Sequence, residues 1–151
     1  MNTENRDEKA SLIMANMRAA PLPLKTRELS KDEYKGLFPR GTEKTPLSTV
    51  KIGENQFEKM ETKGRKGLVS AMYWTLKEPS VILDELRDGE ESRIYIKSFR
   101  DPGSPKVIYI ISVVVEIEEQ FVAISTGKRK EKQVKQKIKL ARRLLYEKES
   151  S

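Results

Sequence analysis

The sequence predicts an α+β domain in which helices pack on a small antiparallel β-sheet and a basic helix closes the chain. Three observations predict it. From Val107 to Ile117 only Ser112 and Glu116 are not apolar, and β-branched valine and isoleucine dominate, which favours a strand over a helix. Hydrophobic spacing is helical before Gly89 and alternating after it. Beyond Lys128, cations surround apolar positions that recur at helical spacing.

With 151 residues, 36% hydrophobic and 35% charged, the chain can build one modest core and leaves part of itself outside it. The turn-rich segment FPRGTEKTP at 38–46 divides the two: residues 1–45 are expected to be an N-terminal arm or linker, partly disordered, and 46–151 the α+β domain. There is no cysteine, which excludes disulfides, thiolate catalysis and cysteine metal sites. Histidine is absent too, so any acid–base chemistry falls to carboxylates, lysine, tyrosine and hydroxyls. No cofactor and no metal are expected. The N-terminus has early acidic residues and no long apolar run, so it reads as neither a secretory signal nor a membrane span, and the expected location is the cytoplasm.

Taken in order, residues 7–19 suit a short helix with Leu12, Ile13 and Met17 on one side, stopped by Pro21 and Pro23, and Ser30 suits the N-cap of a further brief turn. Leu47–Ile52 is strand-like, and Gly53 turns the chain into a helix over 54–63 with Phe57 and Met60 on its apolar face. A second helix is expected over 65–77, where Leu68, Met72 and Leu76 recur every four residues. Pro79 both ends it and suits the first position of a third helix, 79–86. Asp88-Gly89 then turns into a strand over 92–99. There Ile94 and Ile96 face one way and Tyr95, Lys97 and Phe99 the other. That second face suits an open, substrate-facing side, but an edge strand with a protective lysine is the simpler reading. Strands over 106–117 and 120–126 form a hairpin, the first apolar on both faces and therefore central.

The last helix is expected over 129–146. Residues 127–151 carry ten Lys/Arg and three Asp/Glu, so the whole net charge of +7 sits there. Val134, Ile138, Ala141 and Leu145 form its apolar stripe, and Lys135, Lys139, Arg142 and Arg143 lie on the other side. Such a face attracts a polyanion such as RNA; it is equally the way a helix stays soluble. No phosphate-binding glycine loop, zinc spacing, EF-hand loop or internal repeat occurs.

The stretch VKIGENQFEKMETKGRKGLVSAMYWTLKEPSVILDE, followed by RIYIKSF, ISVVVE, FVAIST and a late LLY, resembles the phage-associated barnase, EndoU, colicin and RelE-like nucleases. The resemblance spans 47–147 and rests on spaced residues: Lys59, Arg65, Thr75-Leu76, Pro79, the lysine of YIKSF and the hydroxyl pair closing the last strand. It implies helices on a small antiparallel sheet and ribonuclease or transfer-RNA-cleaving activity of phage or toxin type. Many members carry a histidine near the position of Gly64 to Lys66, where this chain has none.

Metal-free RNA cleavage by the 2′-hydroxyl needs a base, a cation for the charge developing on phosphate, and a proton for the leaving oxygen. On the resemblance, Lys59, Arg65 and Lys97 would surround the phosphate, Ser125 and Thr126 would orient it, and Tyr95 would stack a base or shuttle a proton. Lys135, Lys139, Arg142 and Arg143 would bind the remaining RNA. Implied partners are RNA, transfer RNA among it, and an acidic antitoxin or immunity protein, with no membrane. The alternative is a non-catalytic module that binds nucleic acid or protein on the same fold.

Overall fold

The Val/Ile-rich run forms the middle of a sheet, covered on both faces as its composition requires. The computed structural model describes residues 3–21, 31–52, 54–62, 66–87, 89–100, 103 and 105–148. Ser30, Gly53, Arg65 and Asp88, where the sequence places a cap, two turns and a site residue, lie outside these. In chain order the elements are α1 (Thr3–Asn16), β1 (Ala20–Pro21), α2 (Lys31–Leu37), β2 (Thr42–Lys44), β3 (Thr49–Lys51) and α3 (Glu54–Thr62). A 3₁₀ turn at Lys66–Leu68 leads into α4 (Val69–Lys77), β4 (Val81–Arg87), β5 (Glu90–Arg100), β6 (Val107–Ile117), β7 (Gln120–Arg129), α5 (Glu131–Leu140) and β8 (Arg143–Glu147).

The sheet order is β2-β3-β7-β6-β5-β4-β8, with β1 added beside β5. Strands β4 to β7 form an antiparallel meander, while β3 runs parallel to β7 and β1 parallel to β5. One face of the sheet meets α2, α3 and α4 through Tyr34, Phe38, Phe57, Met60, Met72 and Leu76, packed on Ile82, Tyr95 and Val114. The other meets α1 and α5, where Ala10, Ile13, Val134 and Ile138 cover Val81, Leu83, Ile94, Ile96 and Ile111. The alternation expected in β5 and β6 is therefore realised: Ile94 and Ile96 lie on the α1/α5 face, Tyr95 on the α4 face. The β6–β7 turn holds Glu118 and Glu119 at φ 49° and 66°, the left-handed pair that matches a two-residue hairpin to strand twist.

Several expectations are corrected. The sheet is neither small nor purely antiparallel: among the described residues it has eight strands and two parallel pairings. Residues 79–86 are not a helix but the start and body of β4; Val81, Ile82 and Leu83 are consecutive and all buried, as suits a strand covered on both faces. The basic segment is not one closing helix over 129–146. Strand β7 runs on to Arg129, α5 ends at Leu140, Ala141 turns extended at φ −62° and ψ 143°, and β8 pairs with the outer edge of β4. The apolar stripe splits accordingly: Val134 and Ile138 pack on one face of the sheet and Leu145 on the other. Strand β5 is interior, flanked by β4 and β6, so Lys97 is no edge lysine. The FPRGTEKTP segment contains β2, and Leu12 is exposed while Ala10 and Ile13 carry the apolar face of α1. Tyr34 and Phe38, upstream of that segment, sit in the α4-side core. Among the described residues no helix is long and apolar enough to cross a membrane.

Candidate active site

Lys97 occupies an unusual position for a lysine, in the middle of an interior strand with only 5% of its surface exposed. Its register partner across the sheet is Ile110. On the other side, β4 begins at Val81 opposite Ile96, and β1 takes up pairing only at Phe99. A gap is left beside Lys97 and Ser98, and Ser80 bridges it. Its N–H donates to the Ile96 carbonyl at 2.8 Å, its hydroxyl oxygen accepts the Ser98 N–H at 3.3 Å, and its carbonyl accepts the Lys148 N–H at 2.9 Å. Within that frame the Lys97 ammonium donates to the Glu78 carbonyl at 2.6 Å, at the end of α4. Burial, with the Lys148 ammonium adding repulsion, holds the Lys97 pKa below the ordinary lysine value; Glu78 opposes the shift.

A cavity of about 240 Å³ opens at this gap. At roughly 30 Å³ per water it has room for a phosphodiester and part of a sugar. Its wall includes the cations Arg18, Lys97 and Lys148, the carboxylate Glu147, and Ser80. The end of α1 contributes Ile13, Asn16 and Met17. Sequence reasoning finds Lys97 but not Arg18, Ser80, Glu147 or Lys148. Reading VILDEL as a strand ahead of the Asp88-Gly89 turn would have brought Ser80 beside Lys97; nothing local marks Arg18.

The other expected site residues lie elsewhere. Lys59, on α3, donates to the Ile124 carbonyl of β7 at 2.6 Å and does not line this cavity. Thr126 is buried, and its hydroxyl pairs with Ser112 at 3.0 Å beneath the helices of the α4 face. Ser125 pairs in register with Val113, whose side chain packs on the α1/α5 core, so the two hydroxyls point to opposite faces. Tyr95 is fully buried with its hydroxyl 2.7 Å from Thr45 Oγ1, and burial raises its pKa, so its ring offers no face to a base. Arg65 lies outside the described residues.

A family model described as phage-Barnase-EndoU-ColicinE5/D-RelE like nuclease2, abbreviated PBECR2, matches residues 27–147. The chain belongs to the PBECR2 family. That match takes in β2 to β8 and α2 to α5, and it leaves α1 and β1 upstream. It places the chain among nucleases of the barnase, EndoU and colicin type. No curated protein and no solved structure gave a match.

Seen against a nuclease, the charge of the C-terminal segment is arranged in an unexpected way. Arg142 and Arg143 both converge on one carboxylate oxygen of Asp84, each by Nε and Nη2, at 2.8 to 3.1 Å. Arg142 also reaches Glu91 at 2.7 Å. Lys137 pairs with Glu85 at 3.2 Å, and Lys135 and Lys139 both approach Asp7 of α1 at 3.6 Å. Asp84 is almost wholly buried. Burial alone would raise its pKa, and the hydrogen bonds and charge of Arg142 and Arg143 more than offset that, leaving it below the usual aspartate value. These four expected RNA-binding cations therefore each face a carboxylate of the chain itself. In the PBECR2 sheet, the Asp84 cluster pins β8 to β4.

Proposed function

We propose that the chain is a metal-independent endoribonuclease that cleaves RNA by 2′-hydroxyl attack on the adjacent phosphate at the Lys97 cavity. The observation that carries this reading is the buried Lys97 ammonium, held by a backbone carbonyl and set on a cation-rich cavity in a chain of a nuclease family. A base must be partly neutral near working pH, and the depressed pKa of Lys97 moves it that way. Neutral Lys97 takes the 2′-hydroxyl proton, the 2′-oxygen bonds to phosphorus, and the 5′-oxygen leaves with a proton taken from solvent water. The Lys148 ammonium offsets the charge gathering on the non-bridging oxygens. Ser80 accepts from Ser98 and keeps its own proton to donate to the phosphate. Products are a 2′,3′-cyclic phosphate and a 5′-hydroxyl.

Metal independence rests on ligand chemistry. The chain has no histidine or cysteine, and among the described residues no group of three or more Asp or Glu is placed to hold an ion. The substrate class is RNA, transfer RNA included, acted on in the cytoplasm. An acidic antitoxin or immunity protein is the partner that would neutralise the same cations.

One observation favours the alternative, a non-catalytic binding module: the 2.6 Å bond from Lys97 to Glu78 is also what a purely structural lysine makes. The deciding experiment incubates the full chain and its Lys97→Met variant with total RNA and a transfer-RNA pool in EDTA and maps the ends. Cleavage by the wild type alone, leaving cyclic phosphates, supports the enzyme. Binding without cleavage supports the module.

A further inference from the structure

Arg18 lies nine residues ahead of the stretch that matches the family, yet it stands on the rim of the Lys97 cavity. Its position is set from both sides. Upstream, α1 is docked by Ala10 and Ile13, buried against Val134 and Ile138, and by Asp7 between Lys135 and Lys139. Its last turn closes with the Met17 N–H on the Met14 carbonyl at 3.2 Å. Downstream, Ala20 and Pro21 are paired in β1 with Phe99 and Arg100. Three residues, 17–19, span the interval, so the Arg18 backbone is held over the gap in the sheet. Its side chain is exposed, and among the described residues no carboxylate pairs with it, unlike Lys135, Lys139, Arg142 and Arg143.

We infer that residues 3–21 complete the substrate site and that Arg18 grips a phosphate of the bound RNA next to the one being cleaved. The inference rests on the nuclease reading and adds a binding residue to it. The cavity holds about one phosphodiester, and the RNA must continue over its rim, where Arg18 is an exposed cation within reach of the next phosphate. A guanidinium with no carboxylate partner among the described residues can take two phosphate oxygens at once, a geometry that an ammonium cannot copy. Bound equally in ground and transition states, such a contact acts on KM more than on kcat. The family's matched stretch would then supply the chemistry, and the preceding segment part of the substrate grip.

The test compares Arg18→Ala, Arg18→Lys and Arg6→Ala, all in the full chain. Arg6→Ala removes the same charge from a part of α1 that does not line this cavity. Cleavage kinetics are measured, together with binding of a short 2′-O-methyl RNA that cannot be cut, over a range of salt. Arg18→Ala is expected to raise KM about tenfold, the scale of a lost charged hydrogen bond, and to reduce the slope of log affinity against log salt by about one. Arg18→Lys should restore the slope and recover KM only in part. Arg6→Ala should leave KM as it is. Unchanged KM and slope in Arg18→Ala would overturn the inference, as would equal defects in Arg18→Ala and Arg18→Lys. Lys97→Met, run alongside, separates the two claims. If it cleaves normally, the nuclease reading of the cavity fails. If it is inactive and Arg18→Ala behaves as wild type, only the role of Arg18 fails. Should the chain cut no RNA, the salt slope with the uncleavable RNA still decides whether Arg18 meets a phosphate.

Discussion

Lys97 on β5 and the Arg142–Arg143 pair at the start of β8, with β4 between them, are held in opposite ways. The arginines close on a buried aspartate that satisfies them, and β8 is fixed to β4 as a result. Lys97 is buried, donating to a backbone carbonyl with another cation nearby, so its charge is opposed where theirs is supported. The arginines belong to the basic segment that carries the net charge of the sequence, but a satisfied ion pair has little field left for a substrate. The opposed lysine is one charge among 30 Lys/Arg, yet burial holds its pKa below the ordinary lysine value.

The largest effect is expected at Lys97. Replacement by methionine should lower the cleavage rate by roughly 10² or more, the scale of one lost preorganised contact. The same variant should be more stable than wild type at neutral pH. A lysine whose folded pKa lies below its unfolded value binds more protons when unfolded, so stability rises with pH across that interval and the cost of the buried charge is fully present below it. Thermal melts of both proteins at neutral pH check this, and a lower midpoint for Lys97→Met would mean the lysine supports the fold.

Asp84→Asn should do the reverse. It leaves two guanidiniums around a neutral amide, and the melting temperature should fall by roughly 5–10 °C. The pH dependence follows from the lowered pKa of Asp84. Its stabilisation is complete above the unfolded aspartate pKa and is lost as pH falls through the folded one, so the wild type should lose stability in acid more steeply than Asp84→Asn. Parallel acid titrations of the two proteins would contradict the assignment. The smallest effect is expected from replacing Lys135, Lys139, Arg142 and Arg143 with glutamine. Because each faces Asp7, Asp84 or Glu91, the salt dependence of RNA binding should change by less than four phosphate contacts would require. A slope reduced by about four would restore the basic segment as the main RNA-binding face.

Much of the fold was legible wherever one period dominated. Helices α3 and α4, and the β5–β6–β7 meander with its faces, follow from spacing alone. Two of the elements that were not legible share a common reason. Strands β4 and β8 are stabilised by each other and by Asp84 rather than by local sequence, and PSVILDEL and KLARRLLYE both satisfy a helical period. The Asp88-Gly89 dipeptide between two apolar runs was the available hairpin signal. Of the candidate site, Lys97 was visible as a cation in an apolar strand. Arg18, Ser80 and Lys148 were not, because their approach to it depends on β1, β4 and β8 meeting at one gap.

In the proposed mechanism Lys97 handles a proton at a pKa that Lys148 helps to lower. The measurement that tests it most directly is the pH dependence of kcat/KM for RNA cleavage by wild type and by Lys148→Gln. The wild-type rate should rise with pH as Lys97 loses its proton and then level off. Removing the Lys148 charge relieves part of the depression, so the rising limb of Lys148→Gln should move to higher pH. A limb that stays in place, or one that moves to lower pH, would contradict the assignment of Lys97 as the base.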